Sequence, residues 1–159
     1  MRGARGGSTV RILLATLAIA GAGWGAWTAF APAGSEGLLV EADAATVAAG
    51  QPLYAKHCAS CHGKALEGQP DWRQRKPDGR LPAPPHDDSG HTWHHPDELL
   101  IAITRHGMRP PIAPEGYQSD MPGFGSVLSD KEIRAVLAWI ASQWSAQSRE
   151  HQARVTRAQ

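Results

Sequence analysis

Cysteine is almost absent from this chain: only Cys58 and Cys61 occur among 159 residues. A structural zinc site needs four ligands, and without a second cysteine pair only a strained local set with His57 and His62 remains. A disulfide between the two cysteines would close a loop too short to constrain the unfolded chain. No cysteine closely follows the apolar N-terminal run, which excludes a lipid anchor on cysteine.

Strand patterns are also missing, because no segment alternates apolar and polar residues for long. A thioredoxin-like dithiol belongs in a βαβ context, so this absence argues against one. The sequence instead predicts an all-α fold of three or four short helices joined by long proline-rich loops. Its 12 prolines and 17 glycines agree with a large share of loop.

A surplus of basic residues is missing as well. Three arginines precede the apolar run, and all 15 acidic residues follow residue 35. The chain after the run therefore carries thirteen basic and fifteen acidic residues. This balance argues against nucleic-acid binding, which needs a basic face.

The N-terminus carries an export or anchoring signal. Residues 12–30 form a run of nineteen without a charge. As a helix this run spans roughly 28 Å, close to the ~30 Å hydrocarbon core of a bilayer. Residues 1–31 are predicted to be a signal peptide or a transmembrane signal anchor; the length favours the anchor, and Ala31 and Ala33 keep cleavage open. The preceding arginines predict that the remainder lies outside the cytoplasm.

Three helices are visible in the remainder. The first runs through TVAAGQPLYAKH into the cysteine motif. The second is HPDELLIAITRHG, with Pro96 at its first position and Gly107 as its stop. The third is SDKEIRAVLAWIASQW, opened by a capping box from Ser129 to Glu132.

The helices define the domain organisation. Residues 32–44 are predicted to be a tether, residues 45–144 one domain, and residues 145–159 a polar tail that prolongs the last helix or frays. Residues 63–95 show no periodicity, and so long a loop inside a compact domain needs something to wrap around. A large, rigid, apolar cofactor at the centre would explain both the loops and the small core.

The cysteine motif identifies this cofactor. Residues 57–62 read HCASCH, and C-x-x-C-H is the attachment signature of haem c. Two cysteines three positions apart lie on one helical turn, so both sulfurs can reach the two vinyl groups on one porphyrin edge. We therefore predict one covalent haem c on Cys58 and Cys61, with the imidazole of His62 as an axial iron ligand.

Met121 is the predicted second axial ligand. It opens MPGFG, an irregular loop just ahead of the last helix, and Pro122 stiffens this loop. Met108 is more simply a packing residue. A histidine from the loop at residues 86–95 is the other alternative. A soft thioether favours ferrous iron, so His/Met ligation predicts a higher reduction potential than bis-histidine ligation.

With these motifs the chain resembles the class I c-type cytochromes, specifically the small single-haem bacterial ones with an N-terminal signal or anchor. The resemblance covers about residues 45–144 and rests on GQPLYAKHCASCHG, SDMPGFG and LSDKEIRAVLAWI. It implies a cytochrome c fold wrapped around the haem. It also implies electron transfer in the periplasm, with the domain tethered to the inner membrane or released by cleavage.

The resemblance further implies that the first and last helices cross. Gly50 and Tyr54 match the contact positions of the first helix, and Val136 and Trp139 match those of the last. A glycine there lets two helix backbones approach closely while aromatic rings fill the sides.

His62 also needs a hydrogen-bond acceptor for the ring nitrogen that does not bind iron. A backbone carbonyl of LPAPP would supply it, and the resemblance points to Pro82 or Pro84.

Three further features are open to a structural or a functional interpretation. The histidines of HDDSGHTWHHPDE could bind copper or zinc, but a solvated loop over the haem edge is the simpler interpretation. Propionate donors or simple loop packing account equally well for Trp72, Trp93, Arg73, Arg75 and Arg80. Six basic residues between positions 56 and 80 predict either a positive docking rim or an ordinary surface.

The sequence predicts an electron carrier between a periplasmic donor and an oxidase or another redox acceptor. No catalytic base or nucleophile is recognisable, so we do not expect an enzyme. The alternatives are a haem-based sensor or peroxidase-like protein whose sixth ligand is displaceable, and a copper or zinc chaperone that uses the histidine loop.

Overall fold

The computed structural model describes residues 38–159, and the predicted signal peptide or anchor at residues 1–31 lies outside them. The described part contains five α-helices and no strand. The helices are α1 (Ala44–His57), α2 (Ala59–His62), α3 (Asp97–His106), α4 (Asp130–Ser142) and α5 (Ala146–Arg157). Two 3₁₀ helices span Leu39–Glu41 and Thr92–His94. The all-α prediction is confirmed for this part of the chain.

Local signals set the helix boundaries. Asp43 caps α1 by accepting hydrogen bonds from the backbone N–H groups of Ala45 and Thr46 at 2.9 and 3.0 Å. The predicted capping box of α4 is present, with reciprocal bonds between Ser129 and Glu132.

The ends of α3 differ slightly from expectation. Pro96 is the N-cap residue, one position before the first helical residue where we predicted it. Its extended backbone places it just outside the helix. Gly107 ends α3 as predicted, with a φ of 75° that favours glycine.

Helices α1 and α4 make a close backbone contact. A Cβ atom on Gly50 would lie 2.0 Å from the carbonyl oxygen of Ala135, so only glycine fits there. Beside it, the rings of Tyr54 and Trp139 lie 4.7 Å apart between centroids. Ala135 is thus the residue of closest approach, whereas Val136, one residue on, is buried in the core.

Both ends of the described chain pack on the domain. Leu39 falls within the predicted tether, yet it is 3% exposed and belongs to the core. Residues 146–157 neither prolong α4 nor fray; they form α5, which is capped by Ser145 and packs on the 3₁₀ helix at Thr92–His94. Tertiary contacts order both segments. The polarity of their sequences therefore did not predict that they pack on the domain.

Buried Asp97 joins these two ends. Its carboxylate accepts a hydrogen bond from the backbone N–H of Leu39 at 2.9 Å. The same carboxylate accepts from the amide of Gln152 and the hydroxyl of Thr156, both on α5.

Within residues 38–159, no helix is both long and apolar enough to span a bilayer.

Candidate haem-binding site

The cysteine motif occupies the short helix that directly follows α1. The backbone N–H groups of Cys61 and His62 donate to the carbonyl of Cys58 at 3.1 and 2.9 Å, which closes one turn around the motif. Both cysteines are free thiols; Cys58 is half-buried and Cys61 is exposed. Burial, and secondarily the neighbouring Cys61, raise the pKa of Cys58 to about 11, so this thiol stays protonated at neutral pH.

The end of the motif is fixed from α1. The hydroxyl of Tyr54 donates to the carbonyl of Gly63 at 2.7 Å, where the chain turns with a φ of 83°. Tyr54 is 1% exposed, so this contact is protected from water. The residue that supports the α1–α4 crossing therefore also anchors the residue after His62.

His62 has the chemistry of a metal ligand. Its ring is buried, and Nδ1 lies 2.8 Å from the carbonyl oxygen of Pro84. A carbonyl can only accept, so Nδ1 carries the proton and Nε2 keeps a free lone pair. Burial lowers the pKa of His62 and outweighs the opposite effect of the Pro84 bond, so the ring is neutral at neutral pH.

Backbone hydrogen bonds set the position of the Pro84 carbonyl. On one side of it, the N–H of Gln69 donates to the carbonyl of Ala83 at 2.9 Å, and the Gln69 side chain accepts from the Ala83 N–H at 3.0 Å. On the other side, the N–H of His86 donates to the carbonyl of Leu66 at 2.8 Å. Pro84, rather than Pro82, is therefore the acceptor for His62.

Gly68 makes this pairing of loops possible. Its φ is 68°, and a Cβ atom there would lie 2.5 Å from the backbone nitrogen of Pro85. Its N–H donates to the carbonyl of His62 at 2.8 Å. Neither the conformation nor the contact distance admits a side chain.

The loop with Met121 is attached to the end of α3. The N–H groups of Phe124 and Gly125 donate to the carbonyls of Thr104 and Arg105, each at 2.9 Å. The ring of Phe124 also contacts that of His57, with centroids 6.1 Å apart. Half-buried Met121 thus belongs to a loop that reaches the residue next to Cys58.

Met108 lies near the same loop. A Cβ atom on Gly107, its neighbour, would be 2.9 Å from the carbonyl oxygen of Met121. Both methionines are half-buried. Backbone geometry therefore brings the predicted second ligand and its alternative into one region.

An acidic side chain forms ion pairs with two residues of the predicted basic rim. Lys76 Nζ lies 2.7 Å from Asp120 Oδ2, and Arg80 Nε lies 3.2 Å from Asp120 Oδ1. The side chains of Lys76 and Asp120 are 38% and 55% exposed, so each pair contributes little stability. These contacts join the loop at residues 71–80 to the residue just before Met121, and they reduce the positive charge left for a partner.

The histidines of the loop at residues 86–95 stack on other aromatic side chains. His86 stacks on His62 with ring centroids 3.9 Å apart, His91 stacks on Trp72 at 5.2 Å, and His94 stacks on Trp93 at 3.7 Å. Within residues 38–159, no three His, Cys, Asp or Glu side chains are grouped so as to hold a metal ion.

His86 departs from the expected solvated loop, because it is half-buried and its ring stacks on that of His62. Burial, followed by the neighbouring His62 and His91, holds the pKa of His86 well below its usual value. No spacing rule relates positions 62 and 86, so the sequence carried no signal for this contact.

One buried donor is left for an acceptor outside the protein. Trp93 Nε1 has no hydrogen-bond partner among the described residues. Buried N–H groups are rarely left unpaired. Two cysteines on one turn, a neutral imidazole with an open Nε2 and an unpaired buried indole N–H are what an anionic porphyrin requires, so the residues present fit haem c.

Comparisons with known proteins agree with a haem c protein. The family model described as cytochrome c oxidase, cbb3-type, subunit III matches residues 45–140, more than half of the chain. The chain is 26% identical over 105 residues to the cbb3-type cytochrome c oxidase subunit FixP of Sinorhizobium medicae (strain WSM419). The match covers 66% of this chain and 32% of FixP, so the chain spans about a third of that relative's length. No solved structure matches.

The fold, the C-x-x-C-H motif and the family match lead to one conclusion: the chain belongs to the family of cytochrome c oxidase, cbb3-type, subunit III, and it is a small c-type cytochrome with covalent haem c.

Proposed function

We propose that this haem c electron-transfer protein carries its haem on thioether bonds from Cys58 and Cys61, with His62 and Met121 as axial ligands. The observation that carries the proposal is the hydrogen bond from His62 Nδ1 to the Pro84 carbonyl at 2.8 Å. It selects the tautomer whose Nε2 can bind iron and holds the ring at Nδ1.

The bound haem supplies a one-electron iron couple, and the protein residues tune and shield it. Cys58 and Cys61 hold one porphyrin edge. Burial of His62 and its bond to Pro84 keep water from competing for the imidazole. The unpaired N–H group of Trp93 supports a role as a donor to a haem propionate.

Met121 would complete the coordination from the other face. Its loop is tied to α3 by two backbone hydrogen bonds, and Phe124 contacts the residue before Cys58. A thioether stabilises ferrous iron, so the protein is a relatively high-potential carrier.

The partners are redox proteins of a respiratory chain. The relative FixP is named as an oxidase subunit, which supports transfer between a donor and an oxidase or similar acceptor at the periplasmic face of the inner membrane. Residues 1–31 would tether the domain there or be cleaved. We infer that the protein relays electrons and does not catalyse a reaction of its own.

Axial ligation is tested on the holoprotein produced in a host that matures haem c. Met121→Leu should abolish the long-wavelength absorption band of methionine-to-iron bonding and lower the reduction potential. The matched variant Met108→Leu should change neither. Loss of the band in Met108→Leu alone would contradict the assignment. A high-spin wild-type spectrum with rapid carbon monoxide binding would instead support the sensor or peroxidase-like function.

The cofactor, anchor and metal alternatives have separate tests. Mass spectrometry of the protein from its native membrane should show one covalent haem and residues 1–31 still attached. A metal chaperone would bind copper or zinc in Met121→Leu but lose it when His91, His94 and His95 are replaced together. A colourless but folded protein would overturn the proposed function.

A further inference from the structure

We propose that His86 is a positioning residue for the haem ligand His62, and that its stacked ring fixes the rotation of the His62 imidazole about the iron bond. This inference rests on the proposed function, in which His62 binds iron. It adds a second constraint to the Pro84 hydrogen bond.

The two imidazole rings are in direct contact. Their centroids lie 3.9 Å apart, and their planes differ by 22°. One hydrogen bond at Nδ1 holds a ring at a single point and allows it to swing about that bond. A parallel ring against its face blocks this rotation.

His86 is itself held at three atoms. Its backbone N–H donates to Leu66 at 2.8 Å, and its carbonyl accepts from the indole N–H of Trp144 at 2.7 Å. Its Nδ1 is hydrogen-bonded to the hydroxyl of Thr92 at 2.8 Å. Thr92 is 6% exposed, so this bond does not compete with bulk water. A ring fixed in this way can restrain its neighbour.

The stack also excludes His86 as the second axial ligand. Its ring lies against the face of the His62 ring, with centroids 3.9 Å apart. Two axial imidazoles must instead point their nitrogens at the iron from opposite directions, and rings stacked face to face cannot do so. The contact therefore assigns His86 to orienting the ligand.

The orientation of an axial imidazole sets the splitting of the ferric iron orbitals. This splitting is measured by the low-spin EPR g-values and by the hyperfine-shifted haem methyl resonances. A purely structural residue would alter stability and leave both signatures unchanged. A looser His62 also weakens its hydrogen bond to Pro84, which makes the ligand less basic and raises the reduction potential.

The test uses four variants of the holoprotein. His86→Leu, which removes the planar ring, should shift or broaden the g-values, reorder the haem methyl resonances and raise the potential. Thr92→Val, which removes only the hydrogen bond to the ring, should produce smaller changes of the same kind. His86→Phe restores a flat face and should lie closer to wild type than His86→Leu.

His91→Leu is the matched control from the same loop, because His91 is exposed and stacks on Trp72 instead of His62. It should match wild type in all three measurements. Wild-type g-values and methyl order in both His86→Leu and Thr92→Val would overturn the inference; if His86→Leu does not mature, Thr92→Val decides alone. A wild-type protein without any low-spin haem signal would instead contradict the proposed function.

Discussion

The indole N–H of Trp144 donates to the backbone carbonyl of His86 at 2.7 Å, across 58 positions of the sequence. Trp144 is 3% exposed and directly follows the end of α4, whereas His86 lies in the loop that supplies the acceptor for His62. The segment after α4 is thereby tied to the loop that contacts His62.

Trp144→Phe should destabilise the holoprotein by about 1 to 3 kcal/mol, because it leaves the buried His86 carbonyl without its donor. Denaturant unfolding followed at the haem absorption band measures this change. Trp72→Phe is the control, since the ring contacts of Trp72 with exposed His91 and with the guanidinium of Arg73 are ones that phenylalanine can also make. Equal stability of the Trp144 variant and wild type would show that the hydrogen bond makes no net contribution.

Gly50→Ala should destabilise the protein, although alanine is the better helix former by about 1 kcal/mol. The added Cβ would meet the carbonyl of Ala135 at 2.0 Å, and backbone cannot move aside as a flexible side chain can. Overpacking of this kind costs about 1 to 3 kcal/mol.

Thermal unfolding of the holoprotein measures the effect of Gly50→Ala. Ala49→Ser changes the exposed neighbouring position and should be nearly neutral. An increase in the melting temperature of Gly50→Ala would mean that α1 and α4 do not cross at this distance.

Asp97→Ala should weaken the packing of Leu39 and of α5, which are the two ends of the described chain. The variant removes the acceptor for the backbone N–H of Leu39 and for two side chains of α5, at about 1 to 3 kcal/mol for a buried group left unsatisfied. Hydrogen exchange at Leu39 and along α5 should accelerate more than exchange in α4. Glu98→Ala, at the exposed neighbouring position, should leave Leu39 protected. Uniform acceleration would indicate global destabilisation instead.

Stability should depend on the charge of Asp88 above about pH 4. A hydrogen bond from the Ser148 hydroxyl, followed by bonds from the backbone and hydroxyl of Ser145, lowers the pKa of Asp88 below its ordinary value of 3.8. A carboxylate with a lowered pKa contributes its stability above the unfolded-state value, and this contribution is lost as pH falls through the folded-state value.

Asp88→Asn tests this dependence because it keeps an oxygen acceptor and removes the charge. The denaturant midpoint of wild type should exceed that of Asp88→Asn at pH 7, and the gap between the two midpoints should narrow steadily below pH 4. Asp87→Asn is the control, since the Asp87 carboxylate bonds only within its own turn to Ser89. A gap that is constant with pH would exclude the charge as its cause.

The proposed site could be recognised from local spacing in the sequence. Cysteines three apart on a helix, followed at once by histidine, predict a haem attachment point without knowledge of the fold. The capping box of α4 and the stop of α3 at Gly107 were likewise predictable from neighbouring residues. By contrast, Leu39 and α5 depend on Asp97, which is 58 positions from Leu39 and 55 from Gln152.

The sequence by itself determined helices α1, α3 and α4 and the C-x-x-C-H motif on which the proposed haem attachment rests, because these depend on residues within a few positions of one another. Only the tertiary structure decided that Pro84 accepts the hydrogen bond of His62 and that His86 covers its ring. Both contacts arise where a loop with no periodicity folds back on the motif. The physical reason is that hydrogen bonds from Gly68, Gln69 and His86 set the path of this loop, and such pairings leave no repeating pattern along the chain.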